Sequence, residues 1–553
     1  MSVNHQLGAE VKKALEAAQS AGTLPAFELP AVQIERPRDT THGDYATAVA
    51  LRLTKLAKMA PLKIAEAIVI NLADADYLEE ATVAPPGFIN FRLKESWVQS
   101  VVDAILESGM AYGRISQGEG QKVQIECVSA NPTGPIHIGR IRGGVMGDTL
   151  GRIMRAAGYE VILEYYYNDA GRQVTMLGES VQVRYLQLIG EAVELQKDHY
   201  QGEYIVEIAQ MLKDEHGDGL KGAETKVFSD TAVETISQWQ KDSLKSIGII
   251  FDVYYREQSL YESGRVWEAL EVLDERGFVY KEDGATWFKS TEFGDDQNRV
   301  LVKSTGEPTY RMPDIAYHWH KAQRGFDKVV DIFGPDHHAT APQVLMGVQA
   351  LGYETAFVKT LLHQIVNFVK DGQPFKMSTR SGNFISLDDI VNEVGADAIR
   401  YFMISRSGNS HIEFDMNLAV EQSDKNPVFY IQNAHVRCAG IFRRWQEAGK
   451  NPDADKDANI SLLTHPNELN FLRKAAELSE LIELVVNTSE PHHIAFYAYD
   501  LAALFHPAYE TCRVLHSDVP EPLQHARLKF YRAAQQVFAR VLDLMGMSAP
   551  EKM

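Results

Sequence analysis

The sequence predicts an α/β protein with a parallel, doubly wound sheet, a helical insertion and a helical C-terminal region. An alternating apolar run over residues 123–128 leads through a glycine-containing loop into an amphipathic pattern over 141–157. A β-branched and aromatic run follows at 161–167, as expected of a second buried strand. Strand, helix and strand in this order are typical of parallel sheets. The helical patterns after residue 407 indicate a separate C-terminal unit.

The chain is expected to divide into five regions, with boundaries where mixed patterns change to helical ones and back. They are an N-terminal α+β unit (1–110), the first half of a Rossmann-type domain (111–178), an insertion that interrupts the sheet (179–290), the second half of that domain (291–406) and an all-helical region (407–553). Periodicity and turn residues predict helices at 8–21, 61–73, 180–196, 205–215 and 232–247, strands at 33–35, 88–91, 329–333 and 365–369, and a helix-capping box at 386–389.

Composition limits the possible functions. The 553 residues predict several domains, because single cores stop growing at roughly 250–300 residues. The formal net charge of −20 disfavours sequence-independent coating of nucleic acid, so a nucleic-acid partner needs a local basic patch. No apolar run reaches the ~18 residues of a membrane span, and no secretory signal is apparent. The three cysteines form no metal-ligand spacing, so a reducing cytoplasm without a structural metal is expected.

The loop over residues 129–140 carries groups suited to a phosphate. Gly134 and Gly139 allow close approach of the backbone, and the following helix N-terminus favours an anion. His137 can donate to a phosphate oxygen during attack at the α-phosphorus, and Arg140 adds a planar cation. The alternative is a plain turn with a buried histidine, which the strand–loop–helix context disfavours.

A second cationic segment lies between the turn at Gly372 and residues 381–382. It consists of Lys376, Met377, Ser378, Thr379 and Arg380. Cations on a loop of this kind can close on the β- and γ-phosphates of ATP and hold the departing pyrophosphate. Taken alone, the segment is more typical of a solvated basic loop. The presence of the loop at 129–140 upstream favours the interpretation as a nucleotide-binding loop.

Two acidic residues are unusual for their positions. Glu126 falls within the first strand, where a buried carboxylate needs a partner. Asp314 falls in the first turn of a helix expected after Pro313. A cationic ligand would satisfy both acids, although a helix-dipole role explains Asp314 equally well.

A polar cluster follows the strand at 329–333: Asp336, His337 and His338. Adjacent histidines point in different directions, and no third ligand set has metal-binding spacing. Contact with nucleotide or substrate is therefore expected there, and a metal site is not.

Together the two loops resemble the paired HIGH and KMSKS signatures of class I aminoacyl-tRNA synthetases. Over nearly its full length the chain resembles bacterial arginyl-tRNA synthetases. The supporting segments are HGDYA at 42–46, PGFINF at 86–91, YYYNDAG at 165–171, GEY at 202–204, DIAYH at 314–318, DHH at 336–338, residues 376–389, FMISR at 402–406 and NPVFYIQNAH at 426–435.

The resemblance implies a two-step reaction. Arginine and ATP form arginyl-adenylate, with Mg²⁺ travelling with ATP, and the arginyl group then moves to the 3′-terminal adenosine of tRNA(Arg). It also implies that tRNA is bound before activation, and the enzyme is expected to be monomeric. The implied ATP-binding and catalytic residues are Gly134, His137, Gly139, Arg140, Lys376, Met377, Ser378 and Arg380, and the implied arginine-binding residues are Glu126, Ser129, Asn131, Tyr310 and Asp314.

The tRNA is expected on an anticodon-binding domain formed by the helical region. Arg437 and Arg444 are seven residues apart, which places them on one helix face, and stacking or base-edge groups are offered by Tyr430, Gln432 and Asn433. A second candidate is the run Arg527, Lys529 and Arg532. A solvated basic face is the alternative for each.

The chain departs from the general class I pattern at Arg140, where histidine is usual, and at Thr379-Arg380, where lysine then serine is usual. We expect Arg380 to replace the missing lysine. The competing interpretations are a class I synthetase for glutamate or cysteine, a small-molecule adenylyltransferase, and a tRNA-binding paralogue without aminoacylation activity. The acidic pocket, the long insertion and the helical tail weigh against the first two.

Overall fold

The computed structural model of the protein describes residues 3–37, 39–375 and 385–553. The N-terminal unit packs helices against an antiparallel sheet of order β1-β3-β2. The strand expected at 33–35 is wrong, because Glu35 makes only an isolated bridge to Ala46. The elements are α1 (Val3–Ser20), β1 (Tyr45–Thr47), α2 (Val49–Ala57), α3 (Pro61–Ile70), β2 (Leu78–Ala84), β3 (Phe88–Leu93) and α4 (Glu95–Ser108).

The first half of the nucleotide fold has the expected strand–helix–strand order. Its elements are β4 (Lys122–Glu126), α5 (Ile141–Ala156), β5 (Glu160–Tyr167) and α6 (Arg172–Leu188). The insertion that follows contains α7 (Glu203–His216), α8 (Thr225–Ser246), β6 (Val253–Arg256), α9 (Glu257–Glu262), α10 (Arg265–Glu275), β7 (Val279–Glu282) and β8 (Ala285–Phe288).

The sequence predicted that the whole region 179–290 interrupts the sheet, but only its first part does so. Its strand β6 pairs in parallel with β5 and extends the central sheet. Strands β7 and β8 form a small antiparallel sheet with the strand that follows them. The segment between β5 and β6 is therefore helical, and the central sheet resumes at residue 253.

The second half of the nucleotide fold completes the central sheet. Its elements are β9 (Arg299–Val302), α11 (Arg311–Gln323), β10 (Lys328–Phe333), α12 (Thr340–Ala350), β11 (Val358–Leu362), β12 (Val366–Lys370), β13 (Gln373–Pro374), α13 (Leu387–Val394) and α14 (Ala396–Met403). The central sheet has the order β11-β10-β4-β5-β6 and all its pairings are parallel. The strand expected at 365–369 exists as β12, but it belongs to a different sheet, β13-β12-β14.

The last region is mainly helical and comprises β14 (Ile412–Asp415), α15 (Met416–Val420), α16 (Pro427–Glu447), α17 (Pro466–Ala475), α18 (Leu478–Thr488), α19 (His492–Thr511) and α20 (Glu521–Leu544). The expectation of an all-helical region from 407 is wrong at β14, which pairs in parallel with β12. One hydrophobic core runs from the N-terminal unit through the central sheet into these helices. In the described part of the chain no helix has the length and apolarity to cross a membrane.

Candidate active site

A cavity of about 690 Å³ opens at the carboxyl ends of the central strands β4, β5 and β10. Ligands of open parallel sheets bind at this edge. The cavity brings together ten residues that the sequence analysis singled out: Glu126, Ser129, Asn131, His137, Gly139, Arg140, Tyr310, Asp314, Asp336 and His337. These residues come from three separate stretches of the chain, 126–140, 310–314 and 336–337, so the fold gathers the predicted groups at one place.

His137 stands at the start of α5 in a defined orientation. A 3₁₀ turn over Ile138–Arg140 precedes the helix, and His137 Nδ1 accepts a hydrogen bond from the Gly139 amide at 2.8 Å. Burial, with a contribution from Arg140, lowers the pKa of His137. The neutral ring with Nδ1 as acceptor carries its proton on Nε2. His137 is therefore arranged to act as a hydrogen-bond donor through Nε2.

Gly134 and His338 do not line the cavity. The Gly134 carbonyl accepts a hydrogen bond from Gln240, and a Cβ added there would lie 3.2 Å from the Tyr204 hydroxyl. The absence of a side chain at Gly134 leaves room for the Tyr204 ring. His338 is exposed to solvent.

The second cationic segment, with Lys376, Met377, Ser378, Thr379 and Arg380, lies outside the described residues. The chain that follows it is hydrogen-bonded to the first loop. The Leu387 amide donates to the Ile136 carbonyl at 2.9 Å, and the Ile138 amide donates to the Ile385 carbonyl at 3.1 Å. Ser386 and Asp389 form the expected capping box of α13. Residues 385–387, which follow the second segment, are therefore held beside His137.

Glu126 has a cationic partner within the protein. The fully buried Lys321 ammonium binds Glu126 Oε2 and lies 2.7 Å from Asp331 Oδ1. His318 Nε2 lies 3.0 Å from the other Asp331 oxygen, and Ser129 Oγ donates to Glu126 Oε1 at 2.9 Å. The expectation that a cationic ligand satisfies Glu126 is therefore wrong, because Lys321 already does so.

Lys321 also binds two members of a cluster with metal-ligand spacing. Among the described residues, Glu126, His318 and Asp331 place their ligand atoms within 4.8 Å of one another. Burial alone would lower the pKa of Lys321, but the surrounding carboxylates, led by Asp331, raise it. The ammonium is thus held charged and binds two of the three groups that a metal ion would need there.

Asp314 faces a second carboxylate that the sequence analysis missed. Burial raises the pKa of Asp314 to about 6, with Glu126 adding to the shift. Burial and the nearby Asp314 raise the pKa of Glu257 to about 7. Both side chains line the cavity, and none of the ion pairs found among the described residues includes either one. A cation placed between them would favour both charged forms.

Glu257 begins α9 directly after β6, so the sheet brings it to the cavity edge. The β-branched and aromatic residues at 253–255 are typical of a strand, although the run is too short to show a periodic pattern. Tyr310 immediately precedes α11 and its side chain is 81% exposed. The helix begins at Arg311, two residues before Pro313, and the Asp314 amide lies 3.4 Å from the Tyr310 carbonyl. Tyr310 therefore lies at the mouth of the cavity, one turn from Asp314.

Asp336 and His337 lie in a 3₁₀ turn at the end of β10. The His337 ring stacks on Phe333 with ring centroids 4.7 Å apart. Among the described residues neither histidine of the pair belongs to a group with metal-ligand spacing. The turn contributes polar groups to one wall of the cavity.

The predicted tRNA-binding residues of α16 divide into two sets. Arg437 lies 4.9 Å from the Tyr509 ring, and Arg444 donates to the Tyr509 hydroxyl at 2.9 Å, which confirms that both share one face. Tyr430 and Asn433 are partly exposed on the same helix. Gln432 is buried and binds Asp397 at 2.7 Å, so its expected role in reading bases is wrong.

The second basic run is engaged within the protein. Each of its three cations contacts a carboxylate: Arg527 binds Glu468 at 2.8 Å, Lys529 binds Asp103 at 2.6 Å and Arg532 binds Asp455 at 2.5 Å. These pairs join α20 to neighbouring segments. The run is therefore not a basic patch available to tRNA.

The geometry can be compared with known proteins. Three family models match consecutive parts of the chain: the arginyl tRNA synthetase N terminal domain at residues 5–93, the catalytic domain of class I tRNA synthetases (R) at 101–412 and the DALR anticodon binding domain at 431–553. The chain belongs to the arginyl-tRNA synthetase family. This membership confirms the resemblance seen in the sequence.

Named relatives agree over the whole length. The arginine–tRNA ligase of Desulforamulus reducens is 42% identical over 557 residues, covering 100% of this chain and 99% of the relative. That of Bacillus subtilis is 40% identical over 559 residues, covering 100% of both. The structure of Thermus thermophilus arginyl-tRNA synthetase matches with a TM-score of 0.76 and 21% identity over 100% of both chains. At that identity the last likeness confirms the fold class alone.

Proposed function

We propose that this arginine–tRNA ligase forms arginyl-adenylate from L-arginine and ATP in the cavity, and then transfers arginine to the 3′-terminal adenosine of tRNA(Arg). The single observation that supports the assignment of substrate to site is the pair of carboxylates Asp314 and Glu257, which line the same cavity as the His137 loop and take part in no ion pair found among the described residues. A guanidinium stays charged at all working pH values and presents a planar fork of donors, which suits two facing carboxylates. Lysine presents a compact ammonium and cannot bridge them in the same way.

The remaining residues of the cavity have roles that follow from their positions. Ser129 and Asn131 are close to the end of β4 and are suited to the amino and carboxyl groups of arginine, and Tyr310 is suited to cover the guanidino group at the cavity mouth. Glu126 acts through Ser129, because its charge is matched by Lys321.

ATP is expected over the N-terminus of α5. His137 and the Gly139 backbone face the cavity there, and Arg140 adds positive charge. A donor on His137 Nε2 stabilises charge that develops at the α-phosphate when the arginine carboxylate attacks. Lys376 and Arg380 are proposed to hold the β- and γ-phosphates, with Met377 and Ser378 as further ATP-binding residues of the same segment and Mg²⁺ carried by ATP. No enzyme nucleophile is needed, because the substrate carboxylate attacks ATP directly.

The tRNA is proposed to contact the face of α16 that carries Tyr430, Asn433, Arg437 and Arg444. Partly exposed aromatic rings and guanidinium groups are suited to stacking on unpaired bases and to phosphate contact. The enzyme is further proposed to act as a monomer in the cytoplasm.

Pyrophosphate exchange tests the assignment. The purified enzyme should exchange pyrophosphate into ATP when arginine and tRNA are present. His137→Ala should reduce the exchange rate by at least about a hundredfold, because a hydrogen-bond donor that stabilises transition-state charge contributes roughly that factor. Exchange with glutamate or cysteine in place of arginine, or full activity in a folded His137→Ala enzyme, would contradict the proposal.

A further inference from the structure

The buried side chain of Gln240 on α8 is bound to the ATP loop. Gln240 is 1% exposed, and its Nε2 donates to the Gly134 carbonyl at 2.8 Å and to the Asn131 carbonyl at 3.1 Å. Its Oε1 accepts a hydrogen bond from the Tyr165 hydroxyl at 3.1 Å. One side chain therefore satisfies two backbone acceptors of the segment that leads to His137.

Tyr165 continues the same arrangement from the central sheet. Its hydroxyl lies 3.2 Å from the Ala130 amide and 3.1 Å from the Ala130 carbonyl, and its side chain is fully buried. Just before this point Val128 and Ser129 have φ values of 69° and 42°, a region that non-glycine residues rarely occupy. The contacts of Gln240 and Tyr165 hold residues 130, 131 and 134, which directly follow this backbone.

The same helix also contacts the chain that follows the second cationic segment. One turn after Gln240, Ser243 Oγ donates to Asp388 Oδ2 at 2.8 Å in the first turn of α13. The chain at 385–387 is in turn hydrogen-bonded to Ile136 and Ile138. Helix α8 thus contacts the first loop and the start of α13 within four residues of its own length.

We infer that α8 positions the ATP site, with Gln240 as a positioning residue that sets the conformation of residues 131–134 and, through them, the place of His137. The inference rests on the proposed role of the His137 loop in binding ATP. A purely structural Gln240 would change the stability of the fold and leave the kinetic constants of the folded enzyme unchanged. A positioning Gln240 changes the use of ATP in the folded enzyme.

The test compares Gln240→Met with Gln238→Met in pyrophosphate exchange, well below the melting temperature of each. Methionine keeps the length of the side chain and removes its amide donors, which leaves the partly buried carbonyls of Asn131 and Gly134 without this partner. Gln238 is exposed on the same helix and donates to Asp242 Oδ1 at 3.1 Å. We expect kcat/KM for ATP to fall by about tenfold or more in Gln240→Met, with the arginine KM changed by less than about threefold, because the guanidino pocket is on α9 and α11.

A folded Gln240→Met enzyme within twofold of the parent in kcat/KM for ATP would overturn the inference, as would an equal loss in Gln238→Met. If Gln240→Met does not fold, Tyr165→Phe gives the same test, since it removes the hydroxyl that binds Ala130 and Gln240 and keeps the ring. His137→Ala, measured in parallel, separates the two claims. If His137→Ala loses exchange while Gln240→Met is unaffected, only this inference is contradicted. If His137→Ala is fully active, the proposed ATP site itself is contradicted.

Discussion

Replacing Asp314 by asparagine tests the guanidinium pocket. The substitution keeps the size of the side chain and its place in the first turn of α11, and removes the charge. Removing one partner of a buried, hydrogen-bonded charge pair costs about 2–5 kcal/mol. Since Glu257 remains to face the ligand, the lower end of that range applies, and at about 1.4 kcal/mol per decade it raises the arginine KM by at least ~30-fold.

The assay is arginine-dependent pyrophosphate exchange in the presence of saturating tRNA. The ATP KM should change little, because Asp314 lies on α11 and the ATP loop lies before α5. Glu262→Gln is the matched control, since it removes an exposed carboxylate from the same helix as Glu257. An Asp314→Asn enzyme that folds and keeps its arginine KM within threefold of the parent would refute the pocket.

Three further outcomes follow from the geometry. The raised pKa values of about 6 for Asp314 and about 7 for Glu257 mean that both acids lose protons as pH rises through this range, so the arginine KM should fall from about pH 5.5 to 7.5 and then level off in pH-resolved exchange kinetics. Lys321→Met leaves two buried carboxylates without their cation and should lower the free energy of unfolding by about 3–5 kcal/mol, measured by urea titration. The double variant Arg437→Ala, Arg444→Ala should raise the tRNA KM by about tenfold in aminoacylation without changing the ATP KM.

The stability and tRNA predictions each have a control on the same chain, and the pH prediction has a defined contrary outcome. An arginine KM that is flat with pH, or that rises with pH, contradicts the carboxylate pair. Lys303→Met breaks a surface pair with Glu307 and should change the free energy of unfolding by less than about 1 kcal/mol. If Lys321→Met changes it by no more than that, the proposed contribution of the buried network is contradicted. Lys456→Ala removes an exposed cation outside α16, and a matching rise in tRNA KM there would point to net charge rather than to the α16 face.

The sequence predicted the parts of the fold that depend on local pattern. The alternating run before the His137 loop and the aromatic run at 161–167 form adjacent parallel strands, as expected. The capping box at Ser386 also formed, because its groups lie within one turn. Strand β6 was missed because four residues between helices carry little periodic signal, and its place in the sheet depends on pairing with β5.

The candidate site was predictable where residues lie in one loop or one helical turn, and less so where the fold joins distant segments. Lys321 is 195 positions from Glu126, and nothing in its local sequence indicates that it neutralises a strand carboxylate. Glu257 reaches the cavity only through β6. Gln432 lies on the same helix as Arg437 and Arg444, but its side chain is hydrogen-bonded to Asp397 and to Ser548 near the C-terminus. These contacts depend on tertiary packing.

A crystal structure with arginine and a non-hydrolysable ATP analogue bound tests the central claim most directly. The guanidino group should lie within hydrogen-bonding distance of Asp314 and Glu257, with the α-phosphate beside His137 Nε2. Arginine bound with its guanidino group away from both carboxylates, or a nucleotide remote from the start of α5, would contradict it.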